Sequence, residues 1–219
     1  MTLLRRLAAE ALGSLLLAAT VIGSGVMAER LAAGNLAVAL LANTAATVAV
    51  LGVLITLLAP VSGAHFNPAV TLVAALRRAL APADATAYVL AQVAGCCAGA
   101  PLAHAMFELP LWQTSTHVRA GAAQWLAEIV ATFGLLLVVL GCSRERAAWT
   151  VAAWIGAAYW FTSSTSFANP AITIARALSD TFAGIRPADV PGFVVAQLAG
   201  AALATVVARG LLPRALKPG

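Results

Sequence analysis

The sequence is poor in charged residues. Asp, Glu, Lys and Arg make up 10% of its 219 residues, whereas hydrophobic residues make up 62% and the mean hydropathy is +0.93. Soluble domains carry about 25% charged residues, so this composition excludes a soluble globular domain and a disordered chain and indicates an integral membrane protein. The net charge of +5 comes from basic residues that stand singly or in pairs between apolar runs. That distribution excludes the clustered basic face of a nucleic-acid-binding protein.

Cysteine is scarce as well, and its three positions have no potential metal ligands beside them. Cys96, Cys97 and Cys142 lie inside apolar stretches, without a C-x-x-C pair and without a histidine or acid at ligand spacing. A metal site and a disulfide framework are therefore not predicted. The sequence also lacks a recognisable nucleophile–base set, so we expect neither enzyme activity nor a cofactor.

Six long apolar runs fill most of the chain. At about 20 residues per spanning helix, they predict six transmembrane helices and one transmembrane domain over residues 1–219. The alternating pattern of membrane strands is absent, which predicts an all-α protein. The first run resembles a signal peptide, but Glu10 interrupts it and no cleavage site follows, so we expect it to remain as a span. The predicted spans cover residues 7–28, 36–58, 83–106, 122–142, 147–162 and 188–208.

Two further apolar stretches are too short to cross a bilayer. They cover residues 68–80 and 170–178, each follows a full span, and each opens with Asn-Pro-Ala. Segments of this length at membrane depth are typical of re-entrant half-helices that lie buried in protein or line a water-filled cavity. We therefore predict two re-entrant half-helices.

The two halves of the chain resemble each other, over about residues 1–106 and 120–212. Each half contains, in the same order, a glutamate early in its first span, one Asn-Pro-Ala, and an Ala-Gln-x-Ala-Gly segment in its third span. Because each half has three spans, the second half must enter the membrane inverted. An inverted 3+3 repeat with paired broken segments predicts a transport path at the membrane midplane.

Asn-Pro-Ala is a strong helix start. Asparagine caps a helix N-terminus by accepting from free N–H groups of the first turn, and proline fits the first helical position. The NH₂ groups of Asn67 and Asn169 would then stay free to donate. Two inverted half-helices also direct two positive dipole ends at one point, which repels cations and protons while uncharged solutes pass. The motifs consist of Asn67, Pro68 and Ala69 and of Asn169, Pro170 and Ala171.

The distribution of Lys and Arg predicts both termini on the cytoplasmic side, because cytoplasmic loops carry the excess of basic residues. With the N-terminus inside, nine basic residues are cytoplasmic: Arg5, Arg6, Arg77, Arg78, Arg144, Arg146, Arg209, Arg214 and Lys217. Four are outside: Arg30, Arg119, Arg176 and Arg186. The basic inner face and the Ala-rich composition indicate a bacterial inner membrane.

These features resemble the aquaporin, or major intrinsic protein, family over nearly the whole chain. The resemblance is carried by Ser-Gly-Ala-His-Phe-Asn-Pro-Ala-Val at 62–70, by the second Asn-Pro-Ala at 169–171 and by the two early glutamates, Glu10 and Glu128. The family implies six spans, two half-helices, a pore in every subunit, and self-association in the lipid bilayer as a homotetramer. It also implies that small uncharged solutes are the permeants.

The sequence departs from this family at the outer constriction of the pore. Most members carry an arginine directly after the second Asn-Pro-Ala, where this chain has Ile172. The family spacing assigns Thr47, Ala157 and Ser166 to the other three positions. This set is small and uncharged and contains no aromatic residue, so we expect a wide constriction. It resembles a bacterial branch linked to metalloid handling, which implies arsenous acid or methylated arsenicals as permeants beside glycerol-like solutes.

Two alternatives for this constriction stay open. Trp160 or Phe161 could replace Ala157 as an aromatic wall, and a gap in the loop before Ser166 would shift the position that the family spacing assigns. Arg176 lies four residues after Ile172, on the same helix face, and could restore the missing charge. Extension of Arg176 to the outer membrane surface is the interpretation we favour.

Three titratable residues near the predicted pore have competing interpretations. Glu10 and Glu128 are ionisable groups within spans, either a proton relay or, as we favour, hydrogen-bonded braces for the re-entrant loops. His65 precedes the first motif and is a candidate pore-wall residue or a protonation gate. The alternative functions are a conventional narrow channel for water or glycerol and a proton-coupled secondary transporter.

Overall fold

The computed structural model describes residues 1–212, so Arg214 and Lys217 lie outside the described residues. This part of the chain contains helices and no strands, as predicted for an all-α membrane protein. The helices are α1 Leu3–Leu31, α2 Leu36–Ser62, α3 Pro68–Leu76, α4 Pro82–Met106, α5 Ala122–Gly141, α6 Arg144–Phe161, α7 Pro170–Arg176 and α8 Val190–Leu211, the last preceded by a 3₁₀ turn at Pro187–Asp189.

Six of these helices are long and two are short, which confirms the predicted architecture of six spans and two half-helices. Five of the long helices are apolar and long enough to cross a membrane. The sixth, α6, opens with Arg144, Glu145 and Arg146 and is 18 residues long. With nine and seven residues, α3 and α7 rise only about 14 and 10 Å, less than half of the roughly 30 Å hydrocarbon core.

The half-helices are shorter than the apolar runs that predicted them. The run at 68–80 stays helical only to Leu76, because Arg78 turns into the left-handed region with a φ of +59°. The run at 170–178 ends its helix at Arg176. After α7 the apolar run continues past the helix end because Ala177 is buried and Leu178 is half-buried, whereas Arg78 and Ala79 after α3 are exposed.

Close helix contacts hold each half together. The most extensive packing is between α1 and α4 in the first half and between α5 and α8 in the second. A Cβ atom on Gly95 would lie 2.3 Å from the carbonyl oxygen of Ala11, and one on Gly200 would lie 2.4 Å from that of Ile129. Glycine at these two crossings lets the backbones touch, as small residues do at helix interfaces in membranes.

Two loops that bind each other lie over the outer side of the molecule. By outer side we mean the side on which α1, α4 and α7 end, following the predicted orientation. The loop at 107–121 contacts the loop at 177–189 through the Ser115 N–H, which donates to the Ala177 carbonyl at 3.0 Å. The Thr116 N–H and hydroxyl donate to Asp180 Oδ1 at 2.8 and 2.9 Å. These bonds fix the loops above the end of α7.

Candidate pore

Each half-helix begins at the asparagine of its motif. Asn67 Oδ1 accepts from the Ala69 N–H at 2.9 Å. Asn169 Oδ1 accepts from the Ala171 N–H at 3.0 Å and from the Ile172 N–H at 3.3 Å. The side-chain oxygens thus satisfy first-turn donors that would otherwise stay unpaired, and the proline after each asparagine needs no partner.

The two asparagine amides also bind across the junction between the halves. Asn67 Nδ2 donates to the carbonyl of Ala168, and Asn169 Nδ2 donates to the carbonyl of Phe66, both at 2.8 Å. Each NH₂ carries two hydrogens, so one is used by the opposite loop and one is left over. The amides are therefore not wholly free, and this crossed pair holds the two half-helices tip to tip.

The loop before α3 is folded around one carboxylate. Glu10 is fully buried, and its two oxygens accept from the Ser62 hydroxyl at 2.6 Å, the His65 N–H at 3.0 Å, the Phe66 N–H at 2.7 Å and Gln92 Nε2 at 2.8 Å. Charge-assisted bonds of this kind are stronger than neutral ones. They hold loop residues whose backbone is strained, with a φ of +48° at Phe66.

The loop before α7 repeats this arrangement. Buried Glu128 accepts from the Ser164 hydroxyl at 2.6 Å, the Phe167 and Ala168 N–H groups at 2.8 Å each and Gln197 Nε2 at 2.6 Å. With four donors satisfied, the carboxylate has the hydrogen bonds that a buried charge requires. These contacts match the bracing interpretation of the two glutamates.

An elongated cavity of about 240 Å³ passes the asparagine pair. It extends from Arg77, after α3, to Arg176, at the end of α7. Neither Glu10 nor Glu128 is in its wall. Its polar lining includes Thr47, His65, Asn67, Tyr159, Ser166 and Asn169, and its apolar lining includes Leu17, Leu51, Ile55, Val70, Leu135, Val151, Ile155 and Ile172.

Three of the four residues assigned to the outer constriction line this cavity. Thr47, Ser166 and Ile172 are buried. Ala157 is exposed on the outside of α6 and does not line the cavity, so its assignment is corrected. Two positions further along, on the opposite face of the helix, Tyr159 is buried, lines the cavity and donates its hydroxyl to Thr47 Oγ1 at 3.4 Å.

The expectation of a constriction without an aromatic ring is therefore wrong. The family spacing runs backwards from Asn169 across the irregular loop at 162–169, where a difference of two residues moves the side chain to the other face of α6. The helical period gave a usable signal, because the buried face of α6 includes Val151, Ile155 and Tyr159. Trp160 and Phe161, the proposed substitutes, are 49% and 55% exposed and lie outside the cavity wall.

Arg176 is buried in the outer end of the cavity, so the favoured interpretation of extension to the membrane surface is wrong. Its side chain is 3% exposed. The guanidinium carbon lies 3.4 Å from the centre of the Phe167 ring, and Nε donates to the carbonyl of Ala183. Stacking on an aromatic face and one carbonyl partner hold the cation beside the pore. The positive charge is thus present one turn after Ile172.

A second buried arginine, Arg119, was not singled out from the sequence. It comes from the loop at 107–121, and its guanidinium carbon is 5.1 Å from the Phe167 ring centre. Its N–H groups donate to the carbonyls of Gly184 at 2.7 Å, Ser164 at 3.5 Å and Phe182 at 3.4 Å. No local pattern predicts this position, because its partners lie 45 to 65 residues away along the chain.

His65 occupies a wall position near the inner end of the cavity. Its Nδ1 lies 3.0 Å from the Thr71 hydroxyl, which also accepts from Gln92 Nε2 at 2.8 Å. The imidazole packs against the ring of Tyr88 at a centroid distance of 5.5 Å. These contacts on both sides fix the ring in the wall.

Comparison with known proteins agrees with this geometry. Residues 1–161 match the family described as Major intrinsic protein. The chain is 57% identical over 213 residues to "Aquaglyceroporin AqpS" of Rhizobium meliloti (strain 1021), covering 96% of this chain and 91% of that protein. It is 32% identical over 102 residues to "Aquaporin-5" of Ovis aries, covering 44% and 38% of the two chains. The X-ray structure of the aquaglyceroporin from Plasmodium falciparum has the same fold, with a TM-score of 0.69, 21% identity and 95% coverage of both chains.

Proposed function

Because the chain belongs to the major intrinsic protein family, we propose that its cavity is the path through which it passively conducts small neutral solutes such as glycerol. The protein is an integral membrane channel and not an enzyme. Its relative from Rhizobium meliloti is named an aquaglyceroporin, and this name supports solutes of glycerol type as well as water.

The observation that carries this proposal is the crossed asparagine pair in the cavity wall. Asn67 and Asn169 each keep one amide hydrogen beyond the bond that joins the halves. Two N–H donors at one depth can replace the water partners of a passing hydroxyl group, while the apolar wall opposite offers none. The N-termini of α3 and α7 add partial positive charge at the same point, which opposes cations and protons.

We extend the proposal to arsenous acid and methylated arsenicals. Arsenous acid is neutral at pH 7 and carries three hydroxyl groups, so it presents hydrogen-bond donors and acceptors much as glycerol does. Support comes from Ile172, which removes the arginine from its usual place and leaves the wall apolar there. Tyr159 makes the constriction narrower than the sequence alone predicted, and Arg176 returns a cation one turn further out.

Stopped-flow light scattering on proteoliposomes tests the channel. Under an inward glycerol gradient, the first shrinkage reports water leaving and the later re-swelling reports glycerol entering. We expect both phases to be faster than in empty liposomes. Fast shrinkage without re-swelling would indicate the alternative, a narrow water channel. Saturation of the glycerol flux, or its dependence on a proton gradient, would favour a coupled transporter.

The metalloid proposal is tested by arsenous acid uptake in the same vesicles. Thr47→Phe and Ile172→Arg should each lower uptake about tenfold, a barrier increase of roughly 1.4 kcal/mol, because both fill the constriction. Thr56→Phe is the matched control, since it makes the same change on the exposed face of α2. Unchanged uptake in both constriction variants would contradict the proposed path.

We further propose that the channel is a homotetramer in a bacterial inner membrane with both termini in the cytoplasm. The excess of arginine on one side supports this orientation. Exposed apolar side chains on the spanning helices supply surface for lipid and for neighbouring subunits, as with Leu41, Leu57, Leu126 and Val206. Cross-linking of the protein in native membranes should give a ladder that ends at four subunits.

A further inference from the structure

We propose that the outer end of the cavity is an oxyanion-binding subsite built from Arg176 and Ser166, and that an oxyanion held there blocks the passage of neutral solutes. The blocking effect rests on the proposed function, since it requires the cavity to be the conducting path. Binding itself does not depend on that function and is measured separately below.

The first observation is that the charge of Arg176 is buried without a carboxylate. Within residues 1–212 the ion pairs are Arg6–Asp84 and Arg186–Asp189, and neither involves Arg176. In the same part of the chain only its Nε has a hydrogen-bond partner, the Ala183 carbonyl. Arg176 itself is one of the residues that line the cavity. A buried cation is expensive unless it is paired, so this group favours an anionic ligand.

The second, independent observation is the hydroxyl of Ser166. Its side chain is 2% exposed and lines the same cavity, yet its Oγ has no hydrogen-bond partner among the described residues. Ser166 directly precedes Phe167, the ring on which the Arg176 guanidinium is stacked. Buried polar atoms are normally satisfied. The unmade bond of Ser166 therefore leaves a donor for a ligand oxygen in the cavity that Arg176 also lines.

Two guanidinium groups lie near the Phe167 ring, and the buried carboxylate of Glu128 acts on both through its field from outside the cavity wall. Arg119 places a second guanidinium near the Phe167 ring, but its own donors bind carbonyls, so it acts on a ligand only through its field. The acids Glu10 and Glu128 are absent from the cavity wall and are committed to the loops. A fork of Nη–H donors with one hydroxyl donor fits the oxygens of a small oxyanion. Ile172, one turn inward, offers no donor, so the anion stops there.

The test measures glycerol re-swelling of proteoliposomes with inorganic phosphate on both sides, against chloride at equal ionic strength and osmolality. Phosphate should slow the wild-type flux in a saturable manner. Arg176→Gln should raise the half-inhibitory phosphate concentration about tenfold, the loss of roughly 1.4 kcal/mol of binding. Ser166→Ala should raise it by about threefold for the loss of one hydrogen bond. Each variant is compared with its own flux in chloride.

Ser166→Ala still tests the subsite if the Arg176→Gln protein does not fold. Its Oγ makes no bond that could be lost, and alanine already occupies the left-handed region at Ala64 and Ala168, with φ of +52° and +47°. Arg186→Gln is the matched control, because it removes a partly exposed outer arginine that is absent from the cavity wall. It should be inhibited as the wild type is.

A binding measurement separates this subsite from the channel itself. In detergent, phosphate should raise the melting temperature of the wild type and of Arg186→Gln more than that of Ser166→Ala. If glycerol passes but phosphate changes neither flux nor melting temperature, the subsite is overturned and the channel stands. If glycerol does not pass yet phosphate stabilises the wild type selectively, the permeant is wrong and the subsite stands. Equal inhibition of all variants would also overturn it.

Discussion

Tyr159 has the largest side chain among the four residues that we place at the outer constriction, Thr47, Tyr159, Ser166 and Ile172, and we expect its ring to set the width there. We predict that Tyr159→Ala raises the ratio of glycerol to water permeability several-fold, because it removes a ring from the wall and releases Thr47. Tyr159→Phe keeps the ring and should stay close to the wild-type ratio. The ratio comes from the two phases of one stopped-flow trace. Trp160→Ala, on the exposed side of α6, is the control. An unchanged permeability ratio in Tyr159→Ala would show that the Tyr159 ring does not limit the width of the constriction.

The buried glutamates make a second prediction at the residue scale. Glu128→Gln should destabilise the protein by about 2–4 kcal/mol, because an amide has one acceptor oxygen and presents an N–H₂ to donors that need an acceptor. Thermal unfolding in detergent measures this as a lower melting temperature. Glu108→Gln makes the same change at an exposed position and should unfold like the wild type. Equal melting temperatures would mean that the loop does not depend on this carboxylate.

Residues with a local signal could be predicted, and those placed by distant contacts could not. Asn67 and Asn169 were found because Asn-Pro is a helix start wherever it occurs. The sequence predicts a surface position for Arg176, because arginine in an outer segment ordinarily reaches water. The contacts that hold Arg176 inside are the Phe167 ring and the carbonyl of Ala183. No local sequence pattern predicts that the loop at 177–189 folds back over the end of α7.

At the scale of helices, Gly95 and Gly200 mark the two closest approaches of a glycine to the backbone of another helix. Gly200→Ala would place its Cβ 2.4 Å from the Ile129 carbonyl oxygen, so α8 must move away from α5. We predict a loss of about 1–3 kcal/mol, the usual range for overpacking, read from the melting temperature and the yield of monodisperse protein. Gly210→Ala, near the end of the same helix, has nothing within 4 Å of its new Cβ. It should be neutral or slightly stabilising, and similar losses in both variants would contradict the packing argument.

Helix starts were easier to predict than helix ends. The starts of α3 and α7 follow directly from Asn-Pro. The apolar runs predict both ends too late because hydrophobicity does not mark where a helix stops. Ala177 and Leu178 are buried or half-buried without being helical, and Ala79 is apolar although it is exposed. For α6 the start is the bound that the sequence predicts too late. The apolar pattern begins at 147, whereas the helix begins with the charged residues at 144–146.

The orientation is a prediction about the whole molecule. Cysteines introduced at Leu4 and Trp112, two highly exposed positions on opposite sides, should react differently with a membrane-impermeant maleimide. In intact cells stripped of their outer membrane, Trp112→Cys should be labelled and Leu4→Cys should not. Permeabilised cells supply the control, since both should then react. Labelling of Leu4→Cys alone in intact cells would reverse the topology.

The crossed bonds between the asparagines and the opposite loops bear on the order of events during synthesis. Asn67 Nδ2 takes its partner from Ala168, 101 residues further along the chain. At about 5–20 residues per second, the first loop waits roughly 5–20 s for that carbonyl to leave the ribosome. During this interval the Asn67 amide must donate its hydrogen bond to water or to the insertion machinery. The first half therefore lacks this hydrogen bond until the second half has been made, and each half supplies a carbonyl that the asparagine of the other needs.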